Sequence, residues 1–311
     1  MIEETAVNPI ETTPLEGLLA AKPAGRRLPI VGGLTRIVGV LASTPTGLLG
    51  VVLLTINLLL VVFGPLVAPY SPTELHTSNA FEAPSAQFWL GTDVLGRDVF
   101  SRILHGAAPT LVLALASTLA GVGIGAAVGL ISGYYAGRVD EIIMRLMDGF
   151  MAFPALILAM LIITMLGSSL VNVVLAIAIV FIPRAARVVR SVALQIGTLE
   201  FIDAARVRGE SDLYIITREM LPNAWSVIIV ELSIRLSYAI LLAASLAFLG
   251  VGYQPPSSAW GLMVKEGRDY IQLAPWLVIF PSIAVASASV GAVLMGDSVK
   301  QLLAFRGSDE A

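Results

Sequence analysis

The chain has 311 residues, 57% of them hydrophobic and 13% charged, with a formal net charge of −3 and a mean hydropathy of +0.87. A soluble domain cannot hide that much apolar surface, so the bilayer is the solvent. There is no basic tract of the kind nucleic acid needs, and no cysteine to supply a thiolate.

Residues 1–25 carry Glu3, Glu4, Glu11 and Glu16 before any apolar run, together with Pro9, Pro14 and Pro23. They are expected to be disordered and not to act as a signal peptide. Residues 26–45 turn from basic to apolar and suit the membrane surface. A spanning helix needs about 20 apolar residues. Six segments qualify, near 47–68, 107–134, 142–166, 169–186, 225–250 and 274–296. With the N-terminus inside, fourteen Lys and Arg fall on inner segments and four (Arg97, Arg102, Lys265 and Arg268) on outer ones. The positive-inside rule therefore places both termini in the cytoplasm. The expected fold is all-α and polytopic, with six transmembrane helices.

Span 1 is expected to end at Gly64-Pro65. The outer loop after it closes in Gly91-Thr-Asp-Val-Leu-Gly-Arg-Asp-Val-Phe-Ser-Arg102. Thr92 or Asp93 is the expected cap for the next helix, and Arg97–Asp98 a clamp on a neighbouring loop. Span 2 carries Gly121, Gly125, Gly129 and Gly133, four apart, which form one stripe on a helix. Small residues at that spacing admit a second helix backbone at close range. Asp148 sits at the membrane edge of span 3, where Pro154 can kink the helix. It is a candidate for the translocation path, set against a simple pair with Arg145 or a neighbouring loop. Gly167-Ser168-Ser169 is the expected outer turn. Span 4 runs into Arg184, Arg187 and Arg190, expected to anchor the helix end in headgroups.

Between spans 4 and 5 lies a polar stretch, Phe201 to Asn223, too elaborate for a simple turn. It reads as two short helices. Thr198 is the expected cap of the first, with Glu200 and Asp203 in its first turn and Arg206 and Arg208 in its last. Gly209 supplies a left-handed stop, Ser211 caps the second helix and Pro222 ends it. Span 5 holds Glu231 and Arg235, four apart. They suit an intrahelical pair, or positions on a water-filled path. Residues 262–273 suit a short interfacial helix. Trp276 suits an aromatic belt, and Pro281 falls inside span 6.

His76 and His105 lack partners at metal-ligand spacing, and no phosphate-cradling glycine loop precedes Lys22, Lys265 or Lys300. The chain is therefore expected to hold no metal or ATP of its own, and an intramembrane enzyme lacks its catalytic groups. A transport subunit driven from outside itself remains. An ATP-independent secondary transporter or channel is the alternative, though no internal repeat of the kind such carriers use is evident.

Asp203-Ala204-Ala205-x3-Gly209 followed by Leu221-Pro222 resembles the EAA loop of ABC-importer permeases. Asp203 stands for the usual glutamate, and Glu219 for the usual isoleucine. The motif of residues 91–102, Met144-Arg-x-Met-Asp148 with Pro154, Ser245-Leu-x-Phe-Leu-Gly250, Pro255-Pro256, Trp260-Gly261 and Ala274-Pro275-Trp276 follow in family order. Over about residues 35–300 the chain resembles DppC/OppC-type permeases of dipeptide, oligopeptide and nickel importers. Ala243 departs from the glutamate frequent in that family's fifth span. The resemblance implies a type I ABC importer transmembrane fold in the bacterial cytoplasmic membrane. It implies a cytoplasmic segment 1–45, a first helix and outer loop 46–106, a permease domain 107–297 and a tail 298–311. It further implies a DppB/OppB-like sister permease, an extracytoplasmic binding protein, and two cytoplasmic ATPases that hold ATP and Mg. The 201–223 helices would dock on those ATPases. Similar permeases carry peptides, nickel chelates, glutathione, opines and oligosaccharides, so these motifs leave the substrate open.

Overall fold

A computed structural model describes residues 44–308. The readings of residues 1–25 and 26–45 lie almost wholly outside it. Among the described residues the fold is built from helices, with one isolated β-bridge, Thr92 to Asp98. Five helices are long and apolar enough to cross a membrane: α1 (Pro45–Val67), α2 (Val99–Tyr135), α5 (Leu170–Ile196), α7 (Asp212–Phe248) and α9 (Trp276–Ser308). The expected third span is different. It is a bent pair, α3 (Gly137–Met151) and α4 (Ala155–Leu166), meeting at 90°. Pro154 does not kink a continuous helix; it precedes α4 in extended conformation, as a residue without N–H and with fixed φ favours. Only α4 is apolar throughout. In α3, Asp140, Glu141, Arg145 and Asp148 alternate with Ile142, Leu146 and Met147, so one face is polar.

Other boundaries move for similar reasons. Helix α1 continues through Pro65 to Val67. Helix α2 begins at Val99 rather than near 107, because its first turns pack under the outer loop and not against lipid. Its cap is Asp98, whose carboxylate accepts from Ser101 N at 2.8 Å. Thr92 and Asp93 cap nothing; they fold the loop. Thr92 Oγ1 accepts from Glu82 N at 2.8 Å. Asp93 accepts from Arg97 Nε at 2.6 Å and from a terminal nitrogen of Arg102 at 2.5 Å. Both arginines also reach Glu266 on α8 (Trp260–Arg268), at 3.1 and 2.9 Å. Two carboxylates thus neutralise two buried guanidiniums, the condition under which such charges can leave water. The clamp expected at Arg97 exists, but its partner is Glu266. Trp276 does more than mark an interface: its Nε1 donates to Thr92 O at 3.1 Å and ties α9 to the same loop.

The core is two stacked clusters. One, around Phe181, Ile177, Ile240 and Trp260, joins α2, α5, α7, α8 and α9. The other, around Val189, Ile202, Ile215 and Met220, lies under the loop between α5 and α7. The glycine stripe of α2 faces α5. A methyl placed on Gly121, Gly125, Gly129 or Gly133 would come within 2.9, 2.7, 2.5 or 2.5 Å of α5 atoms. Two backbones can approach that closely only where Cβ is missing. Offset Gly123 meets nothing within 4 Å. The outer turn forms at Gly167, with φ of +91°, and Ser169 caps α5.

Candidate functional site

The polar stretch between α5 and α7 folds into a platform. Helix α6 (Glu200–Val207) starts without a side-chain cap. The hydroxyl of Thr198 donates instead to Gln195 O at 2.8 Å, closing the end of α5. Glu200 and Asp203 lie in the first turn of α6 and Arg206 in its last, the order the helix dipole favours. Gly209 then adopts φ +77°, with nothing within 4 Å of its missing Cβ. Backbone conformation, not space, is what this position demands. Ser211 caps the next helix, accepting from Tyr214 N at 3.3 Å.

Pro222 does not end that helix. Helix α7 runs unbroken from Asp212 to Phe248. Its segment Ile215–Met220 is π-helical, so Leu221 N donates to Ile216 O, five residues back. The widened turn passes Pro222, which has no N–H to place, at the start of the α-helical part. The second half of the platform and the span are therefore one continuous helix.

The platform has a clear inside and outside. Ile202, Ala205, Ile215 and Met220 are fully buried against α5 and α2. Asp203, Ala204, Gly209 and Pro222 are exposed, and Leu221 is half-buried. Ala205 thus belongs to the support, while Asp203 and Ala204 belong to the outer face. Two residues that sequence reasoning passed over complete that face: Val207, 89% exposed, and Leu213, 71% exposed. For Val207 the sequence signal was there, as an apolar residue between Arg206 and Arg208; Leu213, followed by Tyr214-Ile215-Ile216, carries none. Glu219 sits 3.6 Å from Arg208, beyond hydrogen-bond reach but close enough to hold the two halves electrostatically. Charge replaces the apolar contact expected at that position.

Around the platform, polar groups are paired within the chain. Tyr134 and Tyr135, ending α2, donate to the two carboxylate oxygens of Asp212 at 2.7 and 2.8 Å. Arg206 lies over the Tyr134 ring at 5.4 Å. Asp140 of α3 accepts from Nε and one terminal nitrogen of Arg190 and from the hydroxyl of Ser132. The Arg190 bonds hold its carboxyl below the ordinary range, although burial pushes the other way. Asp148 pairs with Arg187, not with Arg145, which pairs with Glu141 at 2.7 Å. Arg187 and Arg190 accordingly clamp α3 to α5 rather than reaching for headgroups.

Glu231 and Arg235 form the intrahelical pair, Oε1 to Nε 2.5 Å, with Glu231 buried and Arg235 nearly so. Neither residue, nor Asp148, lines the cavity of about 460 Å³ between α4, α7, α8 and α9. That cavity presents Leu156, Leu241, Phe248 and Val285 with the hydroxyls of Ser245 and Ser282. Ala243 lines a separate void of about 20 Å³, beside Thr110 and Tyr253. Among the described residues, no group of His, Asp or Glu is placed to hold a metal ion.

Long apolar helices with backbone bonds satisfied internally, carrying one folded polar platform between two spans, define a multi-pass helical membrane protein. Residues 125–306 match the family described as the binding-protein-dependent transport system inner membrane component. The chain belongs to that family, whose members are membrane permease components of ABC transporters rather than catalytic enzymes. It is 38% identical over 263 residues to the dipeptide transport system permease protein DppC of Alkalihalophilus pseudofirmus, covering 85% of this chain and 86% of the relative. It is 44% identical over 222 residues to the glutathione transport system permease protein GsiD of Pectobacterium atrosepticum, covering 71% and 74%. A solved chain of the MetNI methionine ABC transporter in an inward-facing conformation shares the fold, with a TM-score of 0.54 at 19% identity. It covers 65% of this chain and 96% of that one. The expected type I importer fold and the bacterial inner-membrane location both stand.

Proposed function

We propose that the chain is one of two transmembrane subunits of an ATP-driven importer, moving dipeptides or similar small solutes delivered by an extracytoplasmic binding protein. The platform docks on a separate cytoplasmic ATPase, and ATP and Mg are held there, not by this chain. The cation asymmetry of the loops supports a platform on the cytoplasmic side. The observation that carries the reading is the two-sidedness of the platform. Ile202, Ala205 and Met220 anchor it inside, while Val207 and Leu213 are exposed, as is Ala204 beside Asp203. Apolar side chains so exposed on a rigid water-side element mark a protein contact. Because α6 connects through Gly209 to a continuous α7, a push on the platform tilts a whole span. Repeated in a sister permease, that tilt exchanges inward- and outward-facing states around a shared cavity.

The substrate class rests on the relatives, whose names include dipeptide, di/tripeptide and glutathione transport. The test is reconstitution in proteoliposomes with sister permease, ATPases and binding protein, using labelled dialanine and glutathione as probes. Uptake that requires ATP is expected. Uptake by this chain alone, indifferent to ATP, would instead identify a secondary transporter or channel. Gly209→Val is expected to uncouple hydrolysis from uptake, whereas Gly209→Asn, which tolerates positive φ, retains coupling. Unchanged uptake in the valine variant removes the geometric role of the turn.

A further inference from the structure

Helix α2 has 37 residues, about 55 Å at 1.5 Å per residue. It is the element that meets both the platform and the outer loop. At one end Arg102 joins the Asp93–Arg97–Glu266 network. At the other, Tyr134 and Tyr135 place two phenol hydroxyls on the single carboxylate of Asp212. Asp212 is the first residue of the platform's second helix, where a negative charge is favoured. Arg206, from the platform's first helix, covers the Tyr134 ring and also pairs with Asp203 at 3.0 Å. Both halves of the platform therefore grip the end of α2, and there directional bonds add to the apolar packing beneath. Next to this end, residues 121–133 of α2 pack closely on α5 through the glycine stripe, which resists local bending there.

We propose that Tyr134, Tyr135 and Asp212 form a latch that keeps α2 moving with the platform, so that α2 carries platform motion to the outer clamp. These are positioning residues, and the proposal rests on the docking reading above. Because the chain has no cysteine, this subunit can be purified and spin-labelled at introduced sites alone before it is assembled with its partners. The experiment uses the full reconstituted transporter, with labels introduced by Ile131→Cys on α2 and Arg218→Cys on the platform, both exposed sites. The inter-label distance is measured without nucleotide and after vanadate trapping. An unchanged distance is expected with the latch intact. In the Tyr134→Phe/Tyr135→Phe background the distance is expected to shift between the two states. ATP hydrolysed per dialanine or glutathione imported should then rise roughly fivefold or more, the lower end of typical coupling between sites. A distance that changes between states with the latch intact overturns the proposal, as does an unaltered ratio in the double variant. Failure of the ATPase subunits to co-purify with the unlabelled wild-type chain is a different result. It would sink the docking reading itself.

Discussion

Adding a single methyl group to Gly129 provides the sharpest check on the α2–α5 contact. In an ordinary exposed helix, Gly→Ala is stabilising by about 1 kcal/mol, because alanine loses less backbone entropy. At Gly129 the new Cβ would stand 2.5 Å from Ala186 O and 2.9 Å from Arg190 N, both backbone atoms of α5. Neither can rotate away, so the helices must separate by nearly 1 Å to reach ordinary contact distance, about 3.5 Å. Overpacking of this kind costs about 1–3 kcal/mol, and a backbone neighbour puts it at the upper end. The separation also strains the Asp140 junction, which takes Ser132 from α2 and Arg190 from α5. The net loss is about 1–2 kcal/mol, or roughly 2–6 °C in melting temperature for a chain of this size. Gly123→Ala is the matched control, with nothing within 4 Å of its added methyl, and should be neutral or stabilising. Thermal unfolding of both variants in detergent, followed by tryptophan fluorescence, gives the two signs. Equal shifts, or a more stable Gly129→Ala, would refute the close-approach argument.

Removing Asp93 leaves two buried arginines facing only Glu266, so Asp93→Ala should cost about 3–5 kcal/mol; trypsin cleavage after Arg97 or Arg102 in the folded protein reports it. Asp140→Asn is expected to destabilise by about 1–2 kcal/mol, since Arg190 and Ser132 lose their ionised acceptor. The folded carboxyl lies below its ordinary pKa, so its contribution is complete above about pH 4 and disappears only as pH falls through the lowered value. The difference between wild type and Asp140→Asn should therefore be the same at pH 5 and pH 7, and unfolding at the two values tests this. Glu231→Gln removes the charge that pairs the nearly buried Arg235; reduced insertion or stability is expected, read by fluorescence size exclusion, while Glu231→Gln/Arg235→Met should recover most of it. Val207→Asp/Leu213→Asp should release the ATPase subunits on co-purification while the permease still folds, because both side chains already face water.

Several features were legible in the sequence because their signal is local. Apolar length marks a span, glycines four apart mark one helix face, and Gly209 followed by Ser211 marks a stop and a cap. The same locality explains the errors. Pro154 and Pro222 look alike as helix breakers in the chain. One precedes a new helix at a right angle, while the other is carried through a π-helical turn. That difference depends on what packs beneath, namely Ile215, Ile216 and Met220 on the α5 side. Arg187 and Arg190 look like interfacial anchors until α3 folds back and brings Asp148 and Asp140 to them.

The sequence by itself determined that this is a multi-pass helical membrane protein with a polar platform between two spans, since hydropathy acts through solvent and needs no partner residue. Tertiary structure decided which charges meet. Arg102 and Glu266, which pair across the outer loop and α8, are separated by 164 positions in the chain. Tyr134 and Asp212 are separated by 78. No local pattern encodes such pairs, because a carboxylate's partner is set by where helices cross. The polar stretch between α5 and α7 was visible as an anomaly from its composition; which of its faces is support and which is free became visible only once its neighbours were in place.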